Sequence, residues 1–91
     1  MPFTVGDVAR VTAGELLTGN ASRVVKGISL DSRHVRPGDL FIALRGERVD
    51  GHNFVSEALD RGAAAALIQR QIPLQEKATI LKVKDCQRAL L

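Results

Sequence analysis

Residues 31–34, DSRH, contain the side-chain types of a hydrolytic triad: the carboxylate of Asp31, the hydroxyl of Ser32 and the imidazole of His34. A working triad holds these groups within hydrogen-bonding distance of one another. If the segment continues a strand, alternation points Asp31 away from Ser32, and no G-x-S-x-G elbow surrounds the serine. We therefore predict no catalytic residue in this chain.

The sequence gives equally little evidence for a phosphate-binding loop and for a metal site. None of the eight glycines is followed by lysine, so the G-x-x-x-x-G-K-[ST] loop that cradles ATP is absent from the sequence. Asp31, Asp39 and Asp50 could gather around magnesium, but Asp39 follows a Pro-Gly turn and Asp50 precedes glycine, which turn chemistry explains. His34 and His52 lack the spacing of metal ligands and are expected in a loop or at a helix start. The sequence predicts no metal site.

A binding surface is the stronger hypothesis. In GISLDS the strand period of two would place Ile28, Leu30 and Ser32 on one face and Ser29 and Asp31 on the other. An apolar side chain and a hydroxyl would then project together, which suits a flat heterocycle.

The loop RGERVD, residues 45–50, follows an apolar strand, at the position where open α/β sheets tend to hold ligands. Arg45 and Arg48 add positive charge, and the following helix start can help to neutralise phosphate. The residues alone leave a second interpretation open, in which Leu30 is core, Ser32 satisfies a turn and the arginines are solvated.

The elements that would position these residues can be read from the hydrophobic pattern. Thr4 and Asp7 are typical of a helix start and Gly14 of its end, ELL is a short strand, and VVKGISLDS is the next strand. The continuous apolar run from Asp39 to Leu44 predicts a central strand buried on both faces.

The second half repeats the alternation of helix and strand. DGHNFVSEALDRG predicts a helix with Asp50 or Asn53 as its cap and Gly62 as its end, and AAAALI predicts a buried strand. TILKV is a further strand, and Asp85 is typical of a cap for a short terminal helix. The fold class is therefore α/β, a small open sheet with a right-handed β-α-β crossover.

Composition limits the function classes. The 91 residues form a single domain with a net charge of +3, and three Phe with no Trp or Tyr offer little base-stacking surface, so nucleic-acid binding is disfavoured. No apolar run approaches the roughly 20 residues of a membrane-spanning helix. The amino-terminal residues lack the pattern of a secretory signal, so a cytoplasmic location is expected. Cys86, the only cysteine, is expected to be an inert packing residue.

One dense set of motifs resembles a known family. The block from Gly27 to Leu67 is similar to the amino-terminal domain of the Mur ligases, the bacterial enzymes that build the peptide stem of peptidoglycan. The leader TVGDVARVTAGELL and GER at residues 46–48 are most like the D-alanyl-D-alanine-adding branch, and the branch that adds the third residue is the alternative. The resemblance is carried by Asp31-Ser32-Arg33, Pro37-Gly38-Asp39-Leu40-Phe41 and Asp50-Gly51-His52.

The resemblance implies a three-domain cytoplasmic bacterial enzyme of which residues 1–91 are the first, UDP-binding domain. That domain would anchor the UDP of UDP-N-acetylmuramoyl-tripeptide while the other domains join D-Ala-D-Ala. ATP and Mg²⁺ would bind in the central domain, a partner outside this chain, which we expect to be a fragment of a longer protein. A hypothesis of another class is a non-catalytic module whose strand face contacts a protein.

The resemblance also assigns site residues. Leu30 and Ser32 match positions from which related ligases contact uridine, and Glu47, Arg48 and Val49 match a loop that closes over the nucleotide. The loop match is weaker, because relatives often carry a His-containing triplet where this chain has Glu-Arg-Val. Asp31 and Arg33 are expected mainly to hold the strand and turn, with their side chains leaving the ligand face.

Overall fold

Two helices and five strands make up the part of the chain that the computed structural model describes, residues 3–46, 49–73 and 78–86. Two short 3₁₀ turns, Ser32–His34 and Gly51–Phe54, interrupt the connections. The elements in chain order are α1 (Val5–Thr12), β1 (Glu15–Thr18), β2 (Gly27–Ser29), β3 (Asp39–Ile42), α2 (Val55–Asp60), β4 (Ala65–Ile68) and β5 (Ile80–Lys82).

The strands form one mixed sheet in the order β1-β5-β4-β3-β2. Strands β2, β3, β4 and β5 are parallel neighbours, and β1 pairs antiparallel with β5. Helix α2 connects the adjacent parallel strands β3 and β4, which confirms the predicted β-α-β unit. The apolar run after Asp39 lies inside the sheet as expected, although β4 is the middle strand.

Alternation along the strands divides the core between the two faces of the sheet. Phe41 and Ala66 belong to the cluster that includes Val55 of α2, whereas Leu40 and Leu67 belong to the cluster on the side of α1. All four residues of β4 are buried, as the apolar run that contains them predicts. Each helix therefore covers one face of the sheet.

Helix α1 starts where the sequence predicts. The hydroxyl of Thr4 accepts from the Asp7 N–H at 3.2 Å, and the Asp7 carboxylate accepts from the Thr4 N–H at 2.8 Å, which completes a capping box. The helix ends one residue earlier than the predicted end at Gly14, with Ala13 as its C-cap. Ala13 takes the left-handed conformation at φ 56°, and the Gly14 N–H donates to the carbonyl of Ala9.

The strand predicted over VVKGISLDS, residues 24–32, was wrong in its extent, since β2 spans only Gly27–Ser29. The Asp31 carboxylate accepts from the Arg33 N–H at 2.9 Å, and the Ser29 hydroxyl donates to the Asp31 carbonyl at 2.9 Å. These local bonds satisfy the backbone in place of a strand ladder and turn the chain into the 3₁₀ segment that contains Ser32.

The predicted helix after the polar loop also begins later than expected. Asp50 caps the 3₁₀ turn of residues 51–54, and α2 follows from Val55. Gly62 ends this region at φ +102°, as predicted. The helix predicted after Asp85 falls almost entirely outside the described residues. No helix in the described ranges is long and apolar enough to cross a membrane.

Candidate functional site

A cleft of about 580 Å³ opens beyond the carboxyl ends of β2 and β3. Residues 30–33, which follow β2, form one side, and Leu44, Gly46, Val49 and Gly51, which follow β3, form the other. Such an edge of a parallel sheet is where α/β folds commonly bind ligands. The described residues that line the cleft are Leu30, Asp31, Ser32, Arg33, Phe41, Leu44, Gly46, Val49, Gly51, Phe54 and Glu57.

The cleft brings together three of the five predicted site residues. Leu30 and Ser32 lie on one side and Val49 on the other. Leu30 is 49% exposed and Val49 is 55% exposed, whereas Ser32 is buried. The other two predicted residues, Glu47 and Arg48, lie outside the described residues. Their contribution stays a prediction.

The predicted strand face that joined Ile28, Leu30 and Ser32 was wrong. Ile28 pairs with Leu40 and lines a groove with it, on the face of the sheet that α1 covers. Leu30 lines the cleft with Phe41, whose side chain belongs to the opposite face. The bend after Ser29, and not strand alternation, brings Leu30 and Ser32 into one site.

Asp31 and Arg33 hold the turn beside the cleft. Arg33 Nη2 donates to Asp31 Oδ2 at 2.8 Å, and Arg33 Nε donates to Oδ1 at 3.1 Å. These hydrogen bonds, with that from the Arg33 N–H, hold the pKa of the Asp31 carboxyl well below its usual range. The structural role agrees with the prediction, but both residues line the cleft instead of leaving the ligand face.

His34, the third member of the triad considered from the sequence, does not complete a catalytic arrangement. Its ring is 78% exposed, and Nδ1 lies 3.8 Å from Asp31 Oδ2, beyond hydrogen-bonding distance. Within residues 3–46, 49–73 and 78–86, histidine, cysteine and carboxylate side chains form no group of three that could hold a metal ion.

The far side of the cleft is formed by described residues of the segment from Arg45 to Asp50, which is called here the cleft loop. An antiparallel bridge joins these two residues, and the Gly46 N–H donates to the Val49 carbonyl at 2.8 Å. The next residue, Gly51, donates to the Leu44 carbonyl at 2.7 Å. The loop therefore returns to its starting point, and Gly46 and Val49 face the cleft.

A hydrogen-bonded group below the cleft loop was missed from the sequence. His52 is 5% exposed, and its Nδ1 lies 2.7 Å from Asp50 Oδ1, while its Nε2 accepts from the Gln69 N–H at 3.0 Å. Arg70 Nη2 donates to Asp50 Oδ2 at 3.0 Å. The available signal was an Asp two residues before a His, a spacing that lets the carboxylate cap the turn and reach the ring.

The Asp50 carboxylate also accepts from the His52 N–H at 3.0 Å. This backbone hydrogen bond is the largest cause that lowers the pKa of Asp50 to about 2, and the His52 ring and Arg70 lower it further. The carboxylate is therefore ionised at neutral pH and serves as an acceptor for all three groups.

Cys86 has the packing role that the sequence predicts. Its thiol is fully buried and lies 3.6 Å from the Leu67 carbonyl. Burial raises the pKa of this thiol to about 11, so the reactive thiolate is scarce at neutral pH.

Comparison with known proteins identifies relatives of the chain. A family model described as Mur ligase family, catalytic domain, matches residues 24–90. A 2,6-diaminopimelate-adding ligase of Syntrophomonas wolfei, UDP-N-acetylmuramoyl-L-alanyl-D-glutamate--2,6-diaminopimelate ligase, is 46% identical over 84% of this chain. UDP-N-acetylmuramoyl-tripeptide--D-alanyl-D-alanine ligase of Treponema pallidum is 49% identical over 71% of this chain. The chain spans 16% and 14% of the lengths of these relatives, respectively.

Solved structures show the same fold. MurF from Acinetobacter baumannii aligns with 99% of this chain at a TM-score of 0.84 and 35% identity, over 20% of its own length. MurF ligase from Thermotoga maritima in complex with ADP aligns with 72% of this chain at a TM-score of 0.65 and 36% identity, over 15% of its own length.

Proposed function

The chain belongs to the Mur ligase family, and we propose that it is the amino-terminal, nucleotide-anchoring domain of a ligase that builds peptidoglycan precursors. The cleft would hold the UDP of a UDP-N-acetylmuramoyl-peptide. The observation that carries the proposal is the meeting of Leu30 and Ser32 with Val49 across one cleft, although the two segments are far apart in the sequence.

The shape and lining of the cleft suit a nucleotide. Its volume of about 580 Å³ falls within the range of small-molecule sites. The exposed apolar side chains of Leu30, Val49 and Phe54 can contact the faces of a flat base, and the Ser32 hydroxyl can donate to or accept from its edge. Few convergent polar groups among apolar walls are typical of such sites.

The distribution of charge favours a position of the diphosphate near the cleft loop. Asp31 and Glu57 also line the cleft, and Arg33 is already paired with Asp31, so this side offers little free positive charge. Arg45 lies at the base of the cleft loop and Arg48 is in its sequence. We infer that these two arginines balance the diphosphate, while the base lies against Leu30.

Anchoring would assist the reaction without requiring a catalytic residue in this domain. Holding the nucleotide end fixes the distant peptide carboxylate relative to the groups that activate it, and orientation of this kind lowers the barrier without a local acid or base. The chain lacks the ATP-binding loop motif. ATP and Mg²⁺ would therefore act in a central domain of the longer enzyme, which we place in the bacterial cytoplasm.

We infer that the acceptor is D-alanyl-D-alanine, as in MurF. The alignment of 99% of this chain with the Acinetobacter enzyme supports this assignment. The alternative is the third-residue ligase, which the 46% identity to the Syntrophomonas 2,6-diaminopimelate ligase supports. The added group reacts far from the nucleotide, so the residues of this cleft do not select between the two.

Leu30→Ala tests the proposed cleft. Removing this half-exposed side chain should weaken UDP binding about fivefold in calorimetry, because its contact with the base is lost. The matched control is Val11→Ala, which shortens an exposed apolar side chain on helix α1, outside the cleft. Equal affinities for the unsubstituted chain and Leu30→Ala would contradict the assignment.

A further inference from the structure

The His52 ring is a buried polar group whose hydrogen bonds join two separate parts of the fold. The only other buried polar or charged side chains in the described ranges are Ser32 and Thr79. Burying an imidazole is costly unless both ring nitrogens are satisfied. Here Nδ1 faces Asp50 at the end of the cleft loop, and Nε2 faces Gln69 directly after β4.

The geometry fixes the tautomer of the ring. Nε2 must be the bare nitrogen, because it accepts from the Gln69 N–H at 3.0 Å. Nδ1 therefore carries the proton and donates to Asp50 Oδ1 at 2.7 Å. Neutral His52 is thus an acceptor towards the sheet and a donor towards the loop, and a residue with only one of these functions cannot replace it.

Through Asp50 the ring acts on the cleft itself. The bridge between Arg45 and Asp50 closes the cleft loop, and Val49, the neighbour of Asp50, lines the cleft. The His52 ring ties this closing point to Gln69 after β4, the middle strand, all of whose residues are buried. The ring is thus one of the connections between the loop wall and the sheet, beside the hydrogen bond that Arg70 donates to Asp50.

We propose that His52 is a positioning residue for nucleotide binding. With Asp50 it connects the cleft loop to β4 and so holds Val49 in place across the cleft from Leu30, where the ligand would lie. This inference rests on the proposed function, since it concerns the same cleft. His52 itself does not line the cleft, so its effect on a ligand passes through the loop.

Two substitutions separate the two hydrogen bonds of the ring. An asparagine at this position places its amide near Nδ1 and can donate to Asp50, whereas a glutamine reaches towards Nε2 and can accept from the Gln69 N–H. His52→Asn therefore loses the side-chain hydrogen bond to Gln69 after β4, and His52→Gln loses the side-chain hydrogen bond to Asp50. The bonds that Asp50 accepts from the backbone N–H of residue 52 and from Arg70 remain in both variants. Each should weaken UDP binding about fivefold or more and should shift the amide signals of Gly46 and Val49 in the ligand-free chain.

Thr79→Val is the matched control. Thr79 is 2% exposed, and its hydroxyl accepts from the Asn20 N–H at 3.3 Å, so the substitution removes another buried hydrogen bond. It lies outside the cleft lining and should lower stability without changing UDP affinity. All affinities are measured at a temperature where circular dichroism shows each variant fully folded.

The outcomes distinguish the inference from the proposed function. If the unsubstituted chain binds UDP and both His52 variants bind it within twofold as tightly, the positioning role is wrong and the proposed function stands. If the unsubstituted chain does not bind UDP, both are contradicted. Should the His52 variants fail to fold, Asp50→Ala removes the carboxylate that accepts from the ring, and unchanged binding by that variant overturns the inference.

Discussion

Asp50 receives hydrogen bonds from three groups: the His52 N–H, the His52 ring and the guanidinium of Arg70. Each of them favours the ionised carboxylate. The fold therefore lowers the pKa of the Asp50 carboxyl, and the ionised carboxylate in turn stabilises the fold.

Loss of this charge should destabilise the fold at low pH. The pKa of Asp50 in the folded chain is about 2, below its ordinary value of 3.8. A lowered folded-state pKa gives stability that is present above the unfolded value and is lost as the pH falls from about 4 towards 2. Urea unfolding of the unsubstituted chain and Asp50→Asn should therefore differ most near neutral pH and converge in acid. A difference that stays constant from pH 6 to pH 2.5 would contradict this assignment.

At the same scale, the resemblance to the family singled out Leu30, Ser32 and Val49, which line one cleft, but sequence reasoning did not give the reason that they meet. It assumed that Ser32 shares a strand face with Leu30, whereas the Asp31 carboxylate caps a turn that ends the strand. The sequence predicts His52 in a loop or at a helix start and does not reveal the partners of its ring. A buried ring cannot be recognised from sequence when one of its partners, Gln69, is 17 residues away.

At the scale of elements, the cleft loop requires glycine at its exit. A Cβ on Gly51 would lie 2.8 Å from the Leu44 nitrogen and 2.9 Å from its carbonyl oxygen. These are backbone atoms, which cannot move aside as a flexible side chain can. The close approach allows the Gly51 N–H to donate to the Leu44 carbonyl at 2.7 Å, which holds the exit of the loop beside the residues that follow β3.

Gly51→Ala should therefore cost about 2 kcal/mol or more in the free energy of unfolding, because the new methyl group overpacks the backbone. Gly6→Ala is the control. Gly6 lies within α1, where alanine is favoured, and its new Cβ would meet the Ala21 carbonyl oxygen at the longer distance of 3.3 Å. Chemical denaturation measures both. If Gly51→Ala lowers the free energy of unfolding no more than Gly6→Ala does, the backbone around Gly51 can accommodate the methyl group and the requirement for glycine is contradicted.

Elements with a continuous apolar pattern were predicted well. Every residue from Leu40 to Ile42 in β3 and every residue of β4 is hydrophobic and buried, because both faces of an interior parallel strand are covered. Element boundaries that are set by side-chain capping were not predicted well. Both 3₁₀ turns are capped by an aspartate that accepts from an N–H two residues later, a local bond that hydrophobic periodicity does not report.

At the scale of the whole molecule, the chain is a small α/β unit with a cleft of about 580 Å³ beyond the carboxyl ends of β2 and β3. It spans 16% of the length of its Syntrophomonas relative, and anchoring is a task that such a unit can perform for a larger enzyme. Its mildly basic charge of +3 favours an anionic ligand. The sequence indicated this role only through its resemblance to a family, because composition alone left a structural interpretation of the same residues open.

The most direct test is an amide NMR titration of the chain with UDP, then with UDP-N-acetylmuramoyl-tripeptide, and with ATP as the control nucleotide. We expect saturable shifts at Leu30, Ser32 and residues 46–51 with both uridine ligands and none with ATP. Equal shifts with ATP, or shifts confined to the opposite face around Ile28, would contradict uridine anchoring in this cleft. The absence of any saturable shift with both uridine ligands would contradict it as well.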